Sequence, residues 1–455
     1  MLASVGTPVT RSCQARSPGK TAGMDETLVF AMALGLSGTP WKVEQITLDA
    51  AARKLTIRLG FARGSRFAHP QTGELLGVYD TSERRWKHLN FFQYACEIVA
   101  PLPRVGGGPE ERSILTVSVP WARDHSGFTL LMEAMMVVLV KGGLTVQETS
   151  RVLDEWPKRI WRAIVPLVDE AITRMDLSAT KALCLDETHT RKGQCYLTVA
   201  SDPRAVRLSG DEEQSHYRAR VVAVAPGRDS AAVGQVKDFL EAHGCPASQI
   251  DTVIKDMSAA YAKGVREYFP QAEQVVDYFH VMQHMQTAFD AVRRREHRMY
   301  PELFKDSLWV WRTAEENLDE DQAVMRSRLM RVRHLQTGRA CMLIEAFREI
   351  MRTPDVAELE GHLHVWYRWA RRSRIPEIKD AVLTIRQHWN ELLAYARTRL
   401  SNAVAEAING LIQTARRRSR GFDVPAHFRA IIFLLGANLT FDLPDPLPSC
   451  CLNPQ

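Results

Sequence analysis

The sequence predicts an α+β chain of several domains: a small β domain, a helical segment of helix-turn-helix type, a mixed sheet flanked by helices, and a long all-helical stretch. Three observations carry this. Apolar residues alternate at period two from Trp41 to Val119; helical periodicity takes over from Phe128 to Arg174; and strands alternate with helices over residues 181–276 before nearly unbroken helical text from Val281 to Leu400. The chain has 455 residues, 45% of them hydrophobic, which suits about three domains of roughly 150 residues with sizeable cores.

The first 23 residues are polar, carry several Arg and Lys, and lack the apolar run of a signal peptide. They read as a disordered extension, although composition alone does not separate this from a transit peptide. Val43, Ile46 and Leu48, then Leu55, Ile57 and Leu59, flank a polar turn and predict a β-hairpin. Further strands are expected at Leu75–Tyr79, Phe91–Val99 and Ile114–Val119, with Arg104 to Pro109 as a glycine-rich loop.

Helices are expected at Phe128–Val140, Thr145–Leu153 and Lys158–Arg174, broken by Gly142-Gly143 and by Trp156-Pro157. Short helices joined by tight turns, the last carrying Lys158, Arg159 and Arg162, fit a helix-turn-helix. A three-helix packing unit with a solvated basic face fits equally well.

Beyond residue 180, strands are expected at Ala182–Asp186, Cys195–Ala200, Ala219–Ala225, Thr252–Lys255 and Gln274–Asp277, with helices at Ser230–His243 and Ser258–Phe269. Strands first, then alternation, predict a mixed sheet flanked by helices. The charged stretch from Ser201 to Arg218, with Asp211, Glu212 and Glu213, reads as a solvated excursion from a hairpin, and Asp229 as the N-cap of the helix after it. In the helical stretch, Arg293 to Arg295, the group Arg326, Arg328, Arg331 and Arg333, and the group Arg368, Arg371, Arg372 and Arg374 interleave with Trp309, Trp311, Trp366, Trp369 and Trp389. Each Trp reads first as core and each Arg run as a solvated face, but repetition over a hundred residues favours a phosphate-tracking surface.

Net charge is +6 and the isoelectric point about 8.9, a mild excess carried in clusters and mostly by Arg, as a polyanion partner requires. Eight scattered cysteines without a C-x-x-C spacing indicate free thiols in a reducing compartment. The longest apolar stretch, from Phe128 to Val140, is too short to span a bilayer, so no membrane partner is expected. The Pro-rich end, 441–455, reads as a disordered tail.

Three carboxylates stand out. Asp186 and Asp256 each close a short apolar run of strand character, and Glu406 sits inside a helical pattern. Most such aspartates are turn or cap residues. Rigidly held carboxylates that converge can also fix a pair of Mg2+ ions about 3.5–4 Å apart, which activate water and stabilise the leaving oxygen of a phosphodiester.

The chain also resembles, in order, the DDE transposases of the ISL-three insertion-sequence family. The likeness runs through Leu185-Asp186-Glu187-Thr188, Arg191-Lys192-Gly193, Gly227-Arg228-Asp229, Lys255-Asp256-Met257-Ser258, Asp277-Tyr278-Phe279-His280-Val281, Val292 to Glu296, and Ser401-Asn402 with Glu406-Ala407-Ile408-Asn409. It extends upstream to Arg84–Leu89 and Val119–Arg123 and covers most of residues 25–437. The resemblance implies a bacterial enzyme, cytoplasmic and nucleoid-associated, that binds the element's terminal repeats, hydrolyses phosphodiesters and joins 3′-hydroxyl ends to target DNA. It implies a homo-oligomer on double-stranded DNA, with Mg2+ or Mn2+ as cofactor.

By motif position Asp186, Asp256 and Glu406 are the metal-binding catalytic acids and His280, in Asp277-x-x-His280, is a catalytic candidate. Structurally, His280 reads equally well as a cap or packing residue, and Glu187 as a structural neighbour of Asp186. Asp186 and Asp256 are 70 residues apart, Asp256 and Glu406 150.

The implied architecture is an extension (1–24), a small β domain (25–125), a helix-turn-helix segment (126–178), a ribonuclease H-like core (179–280), an all-helical insertion (281–400), the last core helices (401–440) and a tail (441–455). Lys158, Arg159, Arg162, Arg293, Arg294, Arg416, Arg417, Arg418 and Arg420 are the expected DNA-binding cations. The family's zinc-binding cysteine pairs are missing: Phe67-Ala68-His69-Pro70 stands at the first and Val105 to Gly108 at the second, so a structural zinc is not expected.

Overall fold

The computed structural model describes residues 26–106, 114–191, 194–207, 217–313, 315–400 and 403–447. The extension 1–24, Gly107 to Pro109, Lys192-Gly193, the acidic triplet 211–213, Ser401-Asn402 and residues 448–455 lie outside them. Two compact units divide the chain, residues 1–138 with 443–455 and residues 139–442. Among the described residues, no helix is long and apolar enough to cross a membrane.

The first unit contains α1 (Glu26–Ala33), α2 (Leu130–Lys141, which runs on past its boundary) and a six-stranded sheet. Its strands are β1 (Trp41–Asp49), β2 (Lys54–Phe61), β3 (Arg66–Ala68), β4 (Leu75–Phe91), β5 (Tyr94–Val105) and β6 (Leu115–Thr116), in the order β1-β2-β5-β4-β3 with β6 beside β5. The expected hairpin is β1–β2. The charged run 80–90, whose pattern does not mark it as strand, is the middle of β4. Its solvated face is held by cross-strand ion pairs, Arg58 to Glu83 (3.0 Å) and Arg85 to Glu97 (2.9 Å), while Trp86 points into the core. That core stacks Trp86 edge-on to Trp121 (5.5 Å) and Trp121 edge-on to Trp41 (4.8 Å), with Phe67 and Ile98 around them.

The second unit opens with α3 (Val146–Val152) and α4 (Pro157–Thr173). Thr145 and Glu148 form a reciprocal capping box on α3, and Pro157 at the first position of α4 sets its entry. Ile160, Ile164, Leu167 and Val168 make one buried stripe of α4, leaving Lys158 and Arg162 exposed.

Next comes a five-stranded sheet of β7 (Ala182–Arg191), β8 (Gln194–Arg207), β9 (Tyr217–Pro226), β10 (Thr252–Lys255) and β11 (Glu273–Val276), in the order β11-β10-β7-β8-β9. β7, β8 and β9 form an antiparallel meander, whereas β10 and β11 run parallel to β7. Between the later strands lie α5 (Ser230–Ala242), capped by Asp229 (3.0 Å to Ala232 N), and α6 (Ala259–Tyr268). Both cover the face of Leu183, Leu185 and Val253. The arms β8 and β9 extend into the segment expected to be a solvated excursion.

From β11 the chain enters a helical bundle: α7 (Tyr278–Met299), α8 (Pro301–Phe304), α9 (Leu308–Arg312), α10 (Glu320–Met330), α11 (Gln336–Arg352), α12 (Val356–Arg371), α13 (Pro376–Gln387) and α14 (Trp389–Thr398). Met285, Phe289 and Val292 of α7 share one apolar core with Phe347, Trp366 and Ile378. α15 (Ala403–Arg418) and α16 (Pro425–Gly436) then return to the sheet. Gly436 permits the approach, since a β-carbon there would lie 2.6 Å from Val221 of β9.

Candidate active site

Parallel pairing sets three aspartates side by side. Lys255 is in register with Leu185 on one side and Val276 on the other, and the ladder continues one step, Asp277 N donating to Lys255 O (2.7 Å). The next residue on each strand is Asp186, Asp256 and Asp277. Two positions earlier stand Cys184, Ile254 and Val275, which form one buried cluster with Ala394 of α14. Side chains alternate with period two, so the carboxylates follow that cluster on one face, at strand spacings of about 4.8 Å. Buried Cys184 feels four negative charges: after burial, Asp186, Asp277, Glu406 and Asp256 all push its thiol up.

Each carboxylate is held by a local bond. Asp186 accepts Glu187 N (2.7 Å) and Asp256 accepts Ser258 N (2.9 Å) just ahead of α6. Asp277 is the N-cap of α7, accepting Phe279 N (3.0 Å), and its other oxygen binds His280 Nδ1 at 2.7 Å. Burial, with the charges of Asp256 and Asp277, raises the Asp186 carboxyl to about 6 against the opposing Glu187 bond and His280. Glu406 is raised by burial and by Asp277, with His280 opposing. The bond to Asp277 raises His280, as do the charges of Asp277, Asp186 and Asp256, while burial opposes. Mutual repulsion of this kind is what a bound cation relieves, and hard oxygen donors suit Mg2+. Among the described residues, no group of three His, Cys, Asp or Glu side chains is close enough to hold a metal ion as they stand.

α15 is fastened along β7 by one polar face. Asn409 donates to Asp186, Gln413 to Thr188 Oγ1 (3.2 Å) and Arg416 to His189 O (3.1 Å). Spacings of four and three residues keep these donors on one side of the helix, and Asp186 and Thr188 lie on one side of the strand. Glu406 is one turn before Asn409.

The transposase model of the ISL3 type matches residues 183–432, and the helix-turn-helix domain of transposase family ISL3 matches residues 117–168. The chain belongs to this family. It is similar to the transposase for insertion sequence element IS1001 of Bordetella parapertussis, 24% identical over 371 residues, which cover 77% of this chain and 84% of that protein. It is also similar to the transposase for insertion sequence element IS1557 of Mycobacterium tuberculosis, 26% identical over 386 residues, covering 77% and 81%.

The other cations expected to bind DNA in this ISL3-family transposase have varied surroundings. Lys158 and Arg162 are exposed on α4, whereas Arg159 pairs with Glu155 (2.8 Å). Arg293 is 8% exposed and pairs with Asp290 (3.2 Å), while exposed Arg294 donates to Asp290 O (3.2 Å). Arg416 is tied to β7 as above and Arg418 pairs with Glu148 (3.0 Å); Arg417 and Arg420 are exposed. Glu187 reaches Arg228 at 3.6 Å.

Sequence reasoning missed three participants. In the sequence Asp277 figures only as part of Asp277-x-x-His280 and not as a carboxylate beside Asp186 and Asp256, although it closes an apolar run as Asp256 does. Asn409 stands in the run Glu406-Ala407-Ile408-Asn409, but nothing in that run points to its bond with Asp186. Lys255, fully buried beside Asp256, pairs with Glu391 of α14 (3.0 Å), whose same oxygen binds His388 Nδ1 (2.7 Å). A lysine closing the run Thr252-Val253-Ile254 was the visible hint.

Proposed function

We propose that the chain cuts DNA at the ends of a bacterial insertion sequence and joins the freed 3′-hydroxyl ends to target DNA, with Asp186, Asp256 and Glu406 as the acids that hold Mg2+ or Mn2+. The observation that carries this is the alignment of Asp186, Asp256 and Asp277 across three adjacent strands, with α15, the helix of Glu406, fastened to Asp186 through Asn409. The strand order β9-β8-β7-β10-β11, with α5 and α6 on one face and α14 packed against the other, supports a ribonuclease H-like core whose all-helical insertion separates Asp256 from Glu406. When bound, the ions activate water and stabilise the leaving oxygen.

The protein residues have separate tasks. Asn409 fixes the rotamer of Asp186 and ties Glu406 to the same locus. Asp277 holds His280 through Nδ1, which aims Nε2 elsewhere and favours the protonated ring, a donor for a phosphate oxygen. The α3–α4 helix-turn-helix presents Lys158 and Arg162 to duplex DNA, and Arg417 and Arg420 supply phosphate contacts after Glu406. A homo-oligomer on DNA would present two ends to one target.

Asp256→Asn removes a charged ligand, so nicking of an end-containing duplex in Mg2+ should vanish while end binding persists. Wild-type nicking in this variant would refute the assignment. A strand-transfer assay separates the enzyme from two rivals: a non-catalytic DNA-binding derivative would neither cut nor join, and a ribonuclease H-like junction nuclease would cut branched DNA without joining.

A further inference from the structure

The insertion bundle carries unneutralised charge at the end remote from the aspartates. α7 starts at Asp277 and fixes the distance: at 1.5 Å per residue, Arg298 in its last turn lies roughly 27 Å from His280. Three contacts gather two loops at that end. Glu296 of α7 caps α11, accepting Gln336 N (2.7 Å) and Thr337 N (2.8 Å). Arg295 reaches Glu377 in the first turn of α13 (2.8 Å), and Arg339 of α11 donates to Ser373 O (3.3 Å). The α10–α11 loop, with Arg331 and Arg333, and the α12–α13 junction, with Arg371, Arg372 and Arg374, therefore flank the end of α7 and Arg298.

All six arginines are exposed, and none has an ion-pair partner among the described residues. Several other arginines of the bundle are neutralised: Arg293 and Arg312 meet Asp290, Arg295 meets Glu377, and Arg326 meets Glu345. Six unpaired like charges at one end repel one another and disfavour the compact state unless a polyanion covers them.

We propose that this end of the insertion grips the backbone of duplex DNA about eight base pairs from the phosphodiester being cut, because roughly 27 Å along α7 equals about eight steps of 3.4 Å. The contact is sequence-independent and would seat the duplex along α7. Only the spacing rests on the active site proposed above.

Binding is measured on the full Asp256→Asn chain without metal, so the outcome stands whether or not the catalytic reading does. The probes are duplexes carrying the element's end that extend about five or about fifteen base pairs past the cleavage position on either side. The variant is Arg331→Ala, Arg333→Ala, Arg371→Ala and Arg372→Ala together. Each lost phosphate contact lowers the slope of log K against log salt by about 0.9, so on the long duplex the slope should fall by about 2 to 4. On the short duplex the slope should not change. A fourfold Arg→Lys variant keeps the charge and should keep the wild-type slope, which separates lost contacts from lost folding. A wild-type slope in the Ala variant on the long duplex overturns the proposal, as does equal loss on both duplexes or a Lys variant that behaves like the Ala variant.

Discussion

Asn409 donates its side-chain amide to the carboxylate of Asp186 across 223 positions of sequence, and this bond joins the helix of Glu406 to the central strand of the sheet. A hydrogen bond to a charged group is worth about 1.5–3 kcal/mol, so Asn409→Ala should slow single-turnover nicking by roughly ten- to a hundredfold. Asn409→Asp should be worse, since it sets a further negative charge against a carboxylate already crowded by Asp256 and Asp277. Equal rates for Asn409→Asp and wild type would show that the bond does not order the site.

The raised Asp186 carboxyl makes stability depend on pH with a definite sign. Its folded value of about 6 lies above the ordinary value of about 3.9, so in between the metal-free fold holds a proton that the unfolded chain releases. The stability this contributes is complete below about pH 4 and is lost as pH rises to about 6. Relative to Asp186→Asn, the metal-free wild type should therefore lose thermal midpoint across that window. The Mg2+ concentration for half-maximal nicking should rise below about pH 6, where protons compete for the same oxygens. A flat difference between the two proteins would show that burial and the neighbouring carboxylates do not raise Asp186.

The first unit is expected to fold without zinc, its tryptophan packing supplying the stability. Trp86 is 1% exposed and edge-on to Trp121, so Trp86→Ala should cost about 3–5 kcal/mol in denaturant unfolding. The wild-type midpoint should not move in excess chelator. One zinc per chain, lost with unfolding on chelation, would contradict this.

Much of the fold was legible locally. The hairpin of β1 and β2, the run of β10, the capping box on α3 and the Asp229 cap of α5 all lie within a few residues of their signals. β4 was not, because Glu83, Arg85 and Lys87 on its wet face look like loop until their cross-strand partners are known. The parallel pairing of β2 with β5, which sets the order of the first sheet, has no local pattern at all. Asp186 and Asp256 each close an apolar run, but β7 continues past Asp186 to Arg191 in its pairing with β8, and the alignment with Asp277 depends on which strands are neighbours. Lys255 meets Glu391 136 positions further along the chain, too far for any periodicity to report.

That ion pair yields its own prediction. Glu391→Gln leaves the ammonium of Lys255 buried without a counter-charge and should cost about 3–5 kcal/mol, whereas Lys255→Met with Glu391→Leu should recover most of the loss. Denaturant midpoints of the three proteins decide it; additive losses in the double variant would mean that the two residues act independently.

The helical insertion also bears on folding. It leaves the sheet after Val276 and comes back beside the same strand, where Arg397 of α14 meets Glu273 of β11. With its own apolar core, it can collapse early and present its two ends already together. Bringing Glu406 to the aspartates then resembles closing a loop of a few tens of residues rather than 150. At about 0.6 kcal/mol per doubling of loop length, the saving in chain entropy is roughly 1–2 kcal/mol. On that account Asp256 and Glu406, 150 residues apart in sequence, would meet across a short effective loop, and a destabilised bundle should delay assembly of the aspartate row.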